Sequence, residues 1–506
     1  MTVNKKKDTR GKLLLLNSAT SLISQAATVI CNFVLTRLIL LHFGSDVNGL
    51  VSSISQFLGF ISFLEMGIGA VVKSALYKPL ANKDYTEVSK VIISTKNFYR
   101  VIAKILIVYI VILTIVFPLI SAEKFDALFT ASLVVIISIS LFAQYYFGMP
   151  YQLMINADQR TYVPTITCCV TLIFNTIISA VLISFGASIH IVKLAASIIY
   201  VARPIFYTVY VRKNYPLNEN IRLTEEPLKQ KWNGLAQHIA YVVVNYTDIV
   251  VLTFLSTYAN VSIYTVYHNV TLGVQQIISC ISVGISAMLG NVLYSESKEK
   301  LKETFGMVEW FFHVISILFF TITGLLIIPF VKIYTTGVND ANYIVPVFAA
   351  LITAAQASYS LRTPYESMVL AANHFKQTQN SAIIEALLNI IISVILVVKY
   401  GIIGVAIGTL IAMTYRTLYF VIYLSKNILS YRIKTFIKLI TLDLFQIGFC
   451  IGINLSIHFP AENISNWGSW IILAIKTGII CCGVCLIFNI LFFRENVTYI
   501  LKKILK

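Results

Sequence analysis

Fourteen apolar stretches run through the 506 residues of this chain, the first two over 13–41 and 47–72 and the last two over 439–459 and 469–493. Crossing about 30 Å of hydrocarbon takes roughly 20 residues of α-helix, and these stretches reach or approach that length. Backbone in lipid has to satisfy its own hydrogen bonds, which helices do within one segment. With 58% hydrophobic and 12% charged residues, the chain cannot dress a water-solvated surface. The expected fold class is all-α integral membrane, with about 14 transmembrane helices.

The cations fix an orientation. With both termini inside, 31 of the 39 Lys and Arg fall in eight cytoplasmic segments and 4 in or beside the external loops, a separation that an odd number of spans would scramble. The net charge of +17 then faces the anionic inner leaflet, and no nucleic acid is needed to explain it. Lys5, Lys6, Lys7, Arg10 and Lys12 precede an apolar run too long for a signal peptide, so an uncleaved first helix is expected. All eight cysteines lie in spans and read as packing residues.

The chain also repeats itself. At a shift of 214, Pro150, Tyr151, Met154 and Ala157 fall on Pro364, Tyr365, Met368 and Ala371; at 213, Arg203, Phe206, Tyr207 and Tyr210 fall on Arg416, Tyr419, Phe420 and Tyr423. Two pseudo-symmetric six-helix bundles plus two extra helices follow. The boundaries read as an N-terminal lobe 1–211, a cytoplasmic linker 212–231, a C-terminal lobe 232–424, and an addition 425–506 holding two helices and a tail. Duplicated halves are a transporter's architecture. Between the chain's second and third spans, Asp84 and Glu87 have the spacing of a helix start, and an amphipathic helix on the inner leaflet is expected over 73–100. No phosphate-binding loop, no His-Glu-x-x-His pair and no external loop above about a dozen residues is present, so the chain reads as a non-enzyme without cofactor or metal.

Polar residues inside the spans carry the functional reading. An Asp, Lys or Arg at a helix centre costs about 2.5 to 3.5 kcal/mol, yet Arg37, Arg203, Arg416, Lys476, Glu65, Asp248, Glu385 and Asp443 all lie within spans. Ser18, Ser21, Gln25, Thr28, Asn32 and Thr36 share one face of the first span, and His238, Tyr241, Asn245 and Asp248 one face of the seventh. These open the two repeats, and they predict a hydrated cleft between the halves. Snorkelling is open to Arg37, Arg203 and Arg416. Asp443, close to Lys438, reads as interfacial, and Lys476 as reaching the outer surface.

Phe63-Leu64-Glu65-Met66-Gly67-Ile68-Gly69-Ala70, after Val47-Asn48-Gly49-Leu50 and before Tyr77-Lys78-Pro79-Leu80, resembles the corresponding part of bacterial polysaccharide transporters. These are the Wzx-type repeat-unit flippases of the multidrug, oligosaccharidyl-lipid and polysaccharide exporter superfamily. Such families commonly have an Asp-Leu-Gly-like sequence where this chain has Glu65-Met66-Gly67. The resemblance implies two bundles around a central cavity, alternating access, and a multi-pass protein of the bacterial cytoplasmic membrane. It implies as cargo an undecaprenyl-diphosphate-linked oligosaccharide for capsule, exopolysaccharide or O-antigen synthesis, with a polymerase and glycosyltransferases as pathway partners.

In that setting Arg37, Arg203 and Arg416 suit a diphosphate, and Gln25, Asn32, Tyr241 and Asn245 suit sugar hydroxyls. Glu65, Asp248 and Glu385 are the gating or coupling candidates, Glu65 or Asp248 holding an arginine in one state, with proton or sodium coupling. A lipid II flippase shares the fourteen spans and cationic cavity; a multidrug or cation antiporter usually has twelve spans and an acidic cavity.

Overall fold

The computed structural model describes residues 2–65, 67–218, 221, 235–429, 433–456 and 466–504, and every regular element among them is helical. The chain divides into two compact units, Met1–Val242 and Val243–Lys506.

The first unit holds α1 (Thr2–Gly59), a 3₁₀ turn (Phe60–Glu65), α2 (Ile68–Asn82), α3 (Tyr85–Ser121), α4 (Ala127–Ala143), a π turn (Gln144–Gly148), α5 (Met149–Ala157), α6 (Tyr162–Ser184) and α7 (Ile189–Asn214). Helix α8 (Leu235–Leu255) runs across the boundary. The second unit continues with α9 (Tyr258–Ser295), α10 (Lys298–Tyr334), α11 (Pro346–Ala371), α12 (Phe375–Tyr400), α13 (Ile402–Asn427), α14 (Ile433–Ser456), α15 (Trp467–Phe492) and α16 (Arg494–Ile504).

Ten helical segments among the described residues are long and apolar enough to cross a membrane. One of them, Leu15–Glu65, spans two of the apolar stretches, because α1 is two helices joined at Gly44, whose φ of 83° only glycine adopts without strain. Helices α9 and α11 are 38 and 26 residues long but carry polar groups such as His268, Gln275, Gln356 and Arg362. In α8 the apolar stretch described is Tyr246–Leu255, which is shorter than a membrane span. Large apolar side chains such as Val108, Ile115, Leu119, Ile479 and Leu486 lie exposed on the outside of their units, as lipid solvent allows.

Two sequence expectations need correction. The second apolar stretch is not one helix over 47–72: it tightens into the 3₁₀ turn and breaks at Gly67, which has a φ of 75°. Asp84 does cap a helix, its carboxylate accepting from Glu87 N at 3.1 Å, but the helix is not a separate surface segment. It runs unbroken to Ser121, with Val88, Val91 and Ile92 buried in the unit. Residues 219–220 and 222–231 of the expected linker lie outside the described residues.

The internal repeat is visible in the helix ends. Position 298 lies 213 beyond 85 and 334 lies 213 beyond 121, so α3 and α10 are copies in length and placement; α7 and α13 keep the same offset at both ends. Core side chains follow. Tyr151, Met154, Tyr207 and Val211 pack in the first unit's core, and their counterparts Tyr365, Met368, Phe420 and Leu424 in the second's. A hairpin of α12 and α13 in the second unit closes through Gly404 and Gly408, where an added Cβ would run into Leu396 O and Ser393 Oγ.

Candidate functional site

The repeat makes the two units controls for one another. In the second unit a charged cluster is built from three helices. Arg362 Nη1 on α11 donates to Glu385 Oε1 on α12 at 2.7 Å, and Arg416 Nη1 on α13 donates to Glu385 Oε2 at 2.6 Å. Glu366, one turn after Arg362, lies 3.4 Å from its Nε and 3.9 Å from Arg416 Nη2. Arg362, Arg416 and Glu385 are buried at 4%, 7% and 2% exposure. Two guanidinium groups against two carboxylates leave the cluster neutral, the condition on which buried charge is tolerated.

In the first unit the same positions read differently. Arg203 on α7, the counterpart of Arg416, donates through Nε to Thr171 Oγ1 on α6 at 2.6 Å and through Nη2 to Cys168 O at 3.4 Å. Its guanidinium lies 4.2 Å from the centroid of the Tyr200 ring. Thr171 stands 214 residues before Glu385, Gly148 the same distance before Arg362, and Gln152 before Glu366. Every acid of the second cluster is thus an uncharged residue in the first, while one arginine remains. Among the described residues no carboxylate lies within ion-pair distance of Arg203.

The surroundings hold Arg203 in place. A Cβ on Gly148 would meet Pro204 Cβ at 3.0 Å, so glycine lets the π turn approach α7 beside the arginine. Asn175 donates to Tyr200 Oη at 3.0 Å and accepts from Ser179 Oγ at 3.2 Å, fixing the ring under the guanidinium. That π turn also carries Tyr145, whose hydroxyl donates to Glu65. The motif acid is therefore seated against a helix irregularity of the kind that recurs at functional sites.

Asp248 on α8 is 4% exposed and accepts from Tyr264 Oη at 2.7 Å, Thr409 Oγ1 at 2.7 Å and Asn389 Nδ2 at 3.2 Å. These are hydroxyl and amide partners, not arginine; the carboxylate that holds arginines is Glu385. Gln25 and Arg37 are half-buried on α1 and Asn32 is exposed. The side chains of Tyr241, Asn245 and His238 lie outside the described residues.

Sequence reading missed Arg362, which falls just beyond the apolar stretch 343–361 and so looked like loop. It also missed Glu309 and His313, one turn apart on α10 among aromatic residues; their i, i+4 spacing in an apolar run was the available signal. Asp443 is not interfacial. It is 8% exposed, with its Oδ2 2.6 Å from His313 Nδ1.

The two helices outside the repeat, α14 and α15, form a groove of about 690 Å³ whose lining is wholly apolar, including Leu442, Phe445, Phe449, Ile453, Phe488 and Leu491.

The sequence matches no protein-family model and no curated protein. Solved structures do match. A lipid II flippase, MurJ, in an inward closed conformation superposes with a TM-score of 0.72 at 17% identity, over 96% of this chain and 100% of its own. The chain has the MurJ and MATE transporter fold. An inward-facing multidrug resistance MATE family transporter of the MOP superfamily gives a TM-score of 0.57 at 14% identity, over 80% of this chain and 97% of its own. The eukaryotic MATE transporter AtDTX14 gives 0.55 at 13%, over 83% and 96%. The MurJ match takes in nearly all of this chain, whereas each MATE match leaves about a sixth or more of it uncovered.

Proposed function

We propose that this chain is a flippase that carries a polyprenyl-diphosphate-linked oligosaccharide repeat unit from the inner to the outer leaflet of the bacterial cytoplasmic membrane, by alternating access. The observation that carries the reading is Arg203. A guanidinium among neutral partners, at a position where its counterpart Arg416 is neutralised by Glu385, is an anion site kept open. A diphosphate is the anion that pairs with it best, because guanidinium meets phosphate oxygens in a bidentate fork. A hydrocarbon tail needs an apolar track, and the α14–α15 groove supplies one.

In this account Arg37 and Arg203 take the diphosphate on the first half, and Gln25, Asn32, Tyr241 and Asn245 meet sugar hydroxyls. Glu385 acts as the internal stand-in for phosphate: it holds Arg362 and Arg416 here and releases them when the headgroup arrives. Asp248 and Glu65 are the coupling groups, with a proton or a sodium ion as the coupling species. Both termini face the cytoplasm, and the polymerase and glycosyltransferases of a capsule, exopolysaccharide or O-antigen pathway act before and after.

The choice of a repeat unit rests on the Phe63–Ala70 motif. A second reading, lipid II as cargo, is favoured by the extent of the MurJ superposition. Depleting the protein in cells distinguishes them. Loss of surface polysaccharide with saccharide-diphosphate lipid trapped in the inner leaflet supports the first; arrest of peptidoglycan synthesis with trapped lipid II supports the second; neither precursor trapped rejects both.

A further inference from the structure

A chain of four buried groups crosses the second unit where the appended helix α14 meets the repeat. Tyr365 Oη on α11 donates to Glu309 Oε1 on α10 at 2.5 Å. On its other side Tyr365 Oη lies 3.5 Å from His313 Nε2, and His313 Nδ1 meets Asp443 Oδ2 on α14 at 2.6 Å. Glu309, His313, Tyr365 and Asp443 are 0%, 1%, 1% and 8% exposed.

The first unit shows what this location is without an appended helix. Lys96 and Arg100 stand 213 residues before Glu309 and His313. Lys96 Nζ sits 4.7 Å from the ring centroid of Tyr151, the counterpart of Tyr365, and Arg100 is exposed. A half-buried lysine and an exposed arginine in the first unit are replaced by a buried acid and a buried imidazole in the second, and the covering helix brings a second acid. A purely structural cover would be satisfied by apolar residues at these positions. This one assembles two carboxylates, a phenol and an imidazole in hydrogen-bonding order.

We propose that Glu309, Tyr365, His313 and Asp443 form a proton-binding relay, with His313 as the proton's resting place and the docking of α14 as what the proton controls. Hydrogen-bond bookkeeping supports the assignment. With Tyr365 donating to Glu309 and Nδ1–H donating to Asp443, a neutral imidazole turns its Nε2 lone pair toward the phenol oxygen across a 3.5 Å gap, while the phenol's own proton points to Glu309. A proton on Nε2 fills that gap and gives the chain a donor at every contact.

A cavity borders the buried relay at Glu309. Glu309 lines a cavity of about 380 Å³ together with Lys302, Glu303, Trp310 and Glu495, at the end of the unit that the distribution of cations assigns to the cytoplasm. A proton reaching Glu309 turns its carboxyl into the donor toward Tyr365 Oη. Oη passes its own proton to Nε2, and the carboxyl proton replaces it. The net result is a charged imidazolium, a neutral phenol and an unchanged Glu309 carboxylate. Among the described residues the charged and titratable groups around the relay are Lys302, Glu303 and Glu309 on α10, Tyr365 on α11, Asp443 and Lys438 on α14, with Lys438 Nζ 5.5 Å from the Phe493 ring that borders both cavities, and Glu495 on α16; α15 contributes the neutral Asn489, which accepts from Trp310 Nε1 at 2.7 Å.

The site stands on its own geometry; its consequence for transport rests on the flippase reading, because α14 also carries Leu442, Phe445 and Phe449 of the groove. The test therefore uses no substrate. Full-length protein with ¹⁵N-labelled histidine, in liposomes, is measured by solid-state NMR, and the His313 signal is taken from the difference with His313→Gln. It is expected to pass from neutral to doubly protonated as the pH is lowered through the range in which the protein stays folded. In a background with Trp232, Trp467 and Trp470 replaced by Phe, Trp310 emission is expected to shift over the same interval and to lose that shift in Asp443→Asn. A His313 signal unchanged across the range overturns the relay. If His313→Gln fails to fold, His313→Asn supplies the difference, and a Trp310 shift that survives Asp443→Asn overturns the proposal equally.

Discussion

Arg203 and Arg416 occupy one position of a repeated fold and make the same 2.6 Å hydrogen bond to different chemistry: Arg203 to the hydroxyl of Thr171, Arg416 to the carboxylate of Glu385. The second guanidinium is neutralised by a carboxylate inside the protein; the first, among the described residues, faces a hydroxyl and a carbonyl. Arg203→Ala is therefore expected to lower export of the lipid-linked saccharide by about 10- to 100-fold, the equivalent of one charge-assisted hydrogen bond of about 1.5 to 3 kcal/mol. Surface polysaccharide per unit of membrane-embedded protein checks it. Arg203→Lys should retain part of the activity, since a point charge replaces the fork.

The second cluster should fail differently. Glu385→Gln leaves Arg362 and Arg416 buried with only the partly exposed Glu366 for compensation. Unfolding stability is expected to fall by about 3 to 5 kcal/mol, as when one partner of a buried ion pair is removed. A lowered thermal midpoint in detergent reports this. Replacing Arg362, Arg416 and Glu385 together by Met should recover most of the loss, because little buried charge is then left without a partner.

Much of this architecture was legible in the sequence because its markers are packing residues. Tyr151 and Tyr365, or Met154 and Met368, recur at a fixed offset since each fills the same core position in its unit. The all-helical class and the repeat followed from local pattern alone, whereas the fourteen apolar stretches correspond to ten long apolar helical segments among the described residues. Pairings did not. Asp443 reads as interfacial beside Lys438, and only tertiary packing carries it 130 residues along the chain to His313. Arg362 lay one residue past an apolar window, although the fold continues α11 to Ala371. The break at Gly67 was hidden because a single glycine in an apolar run does not announce its φ.

The apolar groove is expected to hold the polyprenyl tail. A polyprenyl diphosphate carrying a photoreactive diazirine on the tail should label peptides containing Phe445, Phe449 and Phe488. Mass spectrometry of the cross-linked protein reads it, and Phe449→Asp should abolish the labelling.

Gly408 offers a purely structural check. Its missing Cβ lets α13 close on Ser393 of α12. Gly408→Ala should destabilise the protein by about 1 to 3 kcal/mol through overpacking, seen as a lower thermal midpoint with the export defect proportional to lost protein.

The central claim is that the first half keeps an uncompensated arginine for a diphosphate. The direct measurement is flipping of a fluorescent undecaprenyl-diphosphate saccharide in proteoliposomes, comparing the native protein with Thr171→Glu, which gives Arg203 the partner that Arg416 already has. The account expects the native protein to flip the lipid and Thr171→Glu, folded and equally reconstituted, to lose at least about tenfold in rate. Equal rates in the two proteins would contradict it.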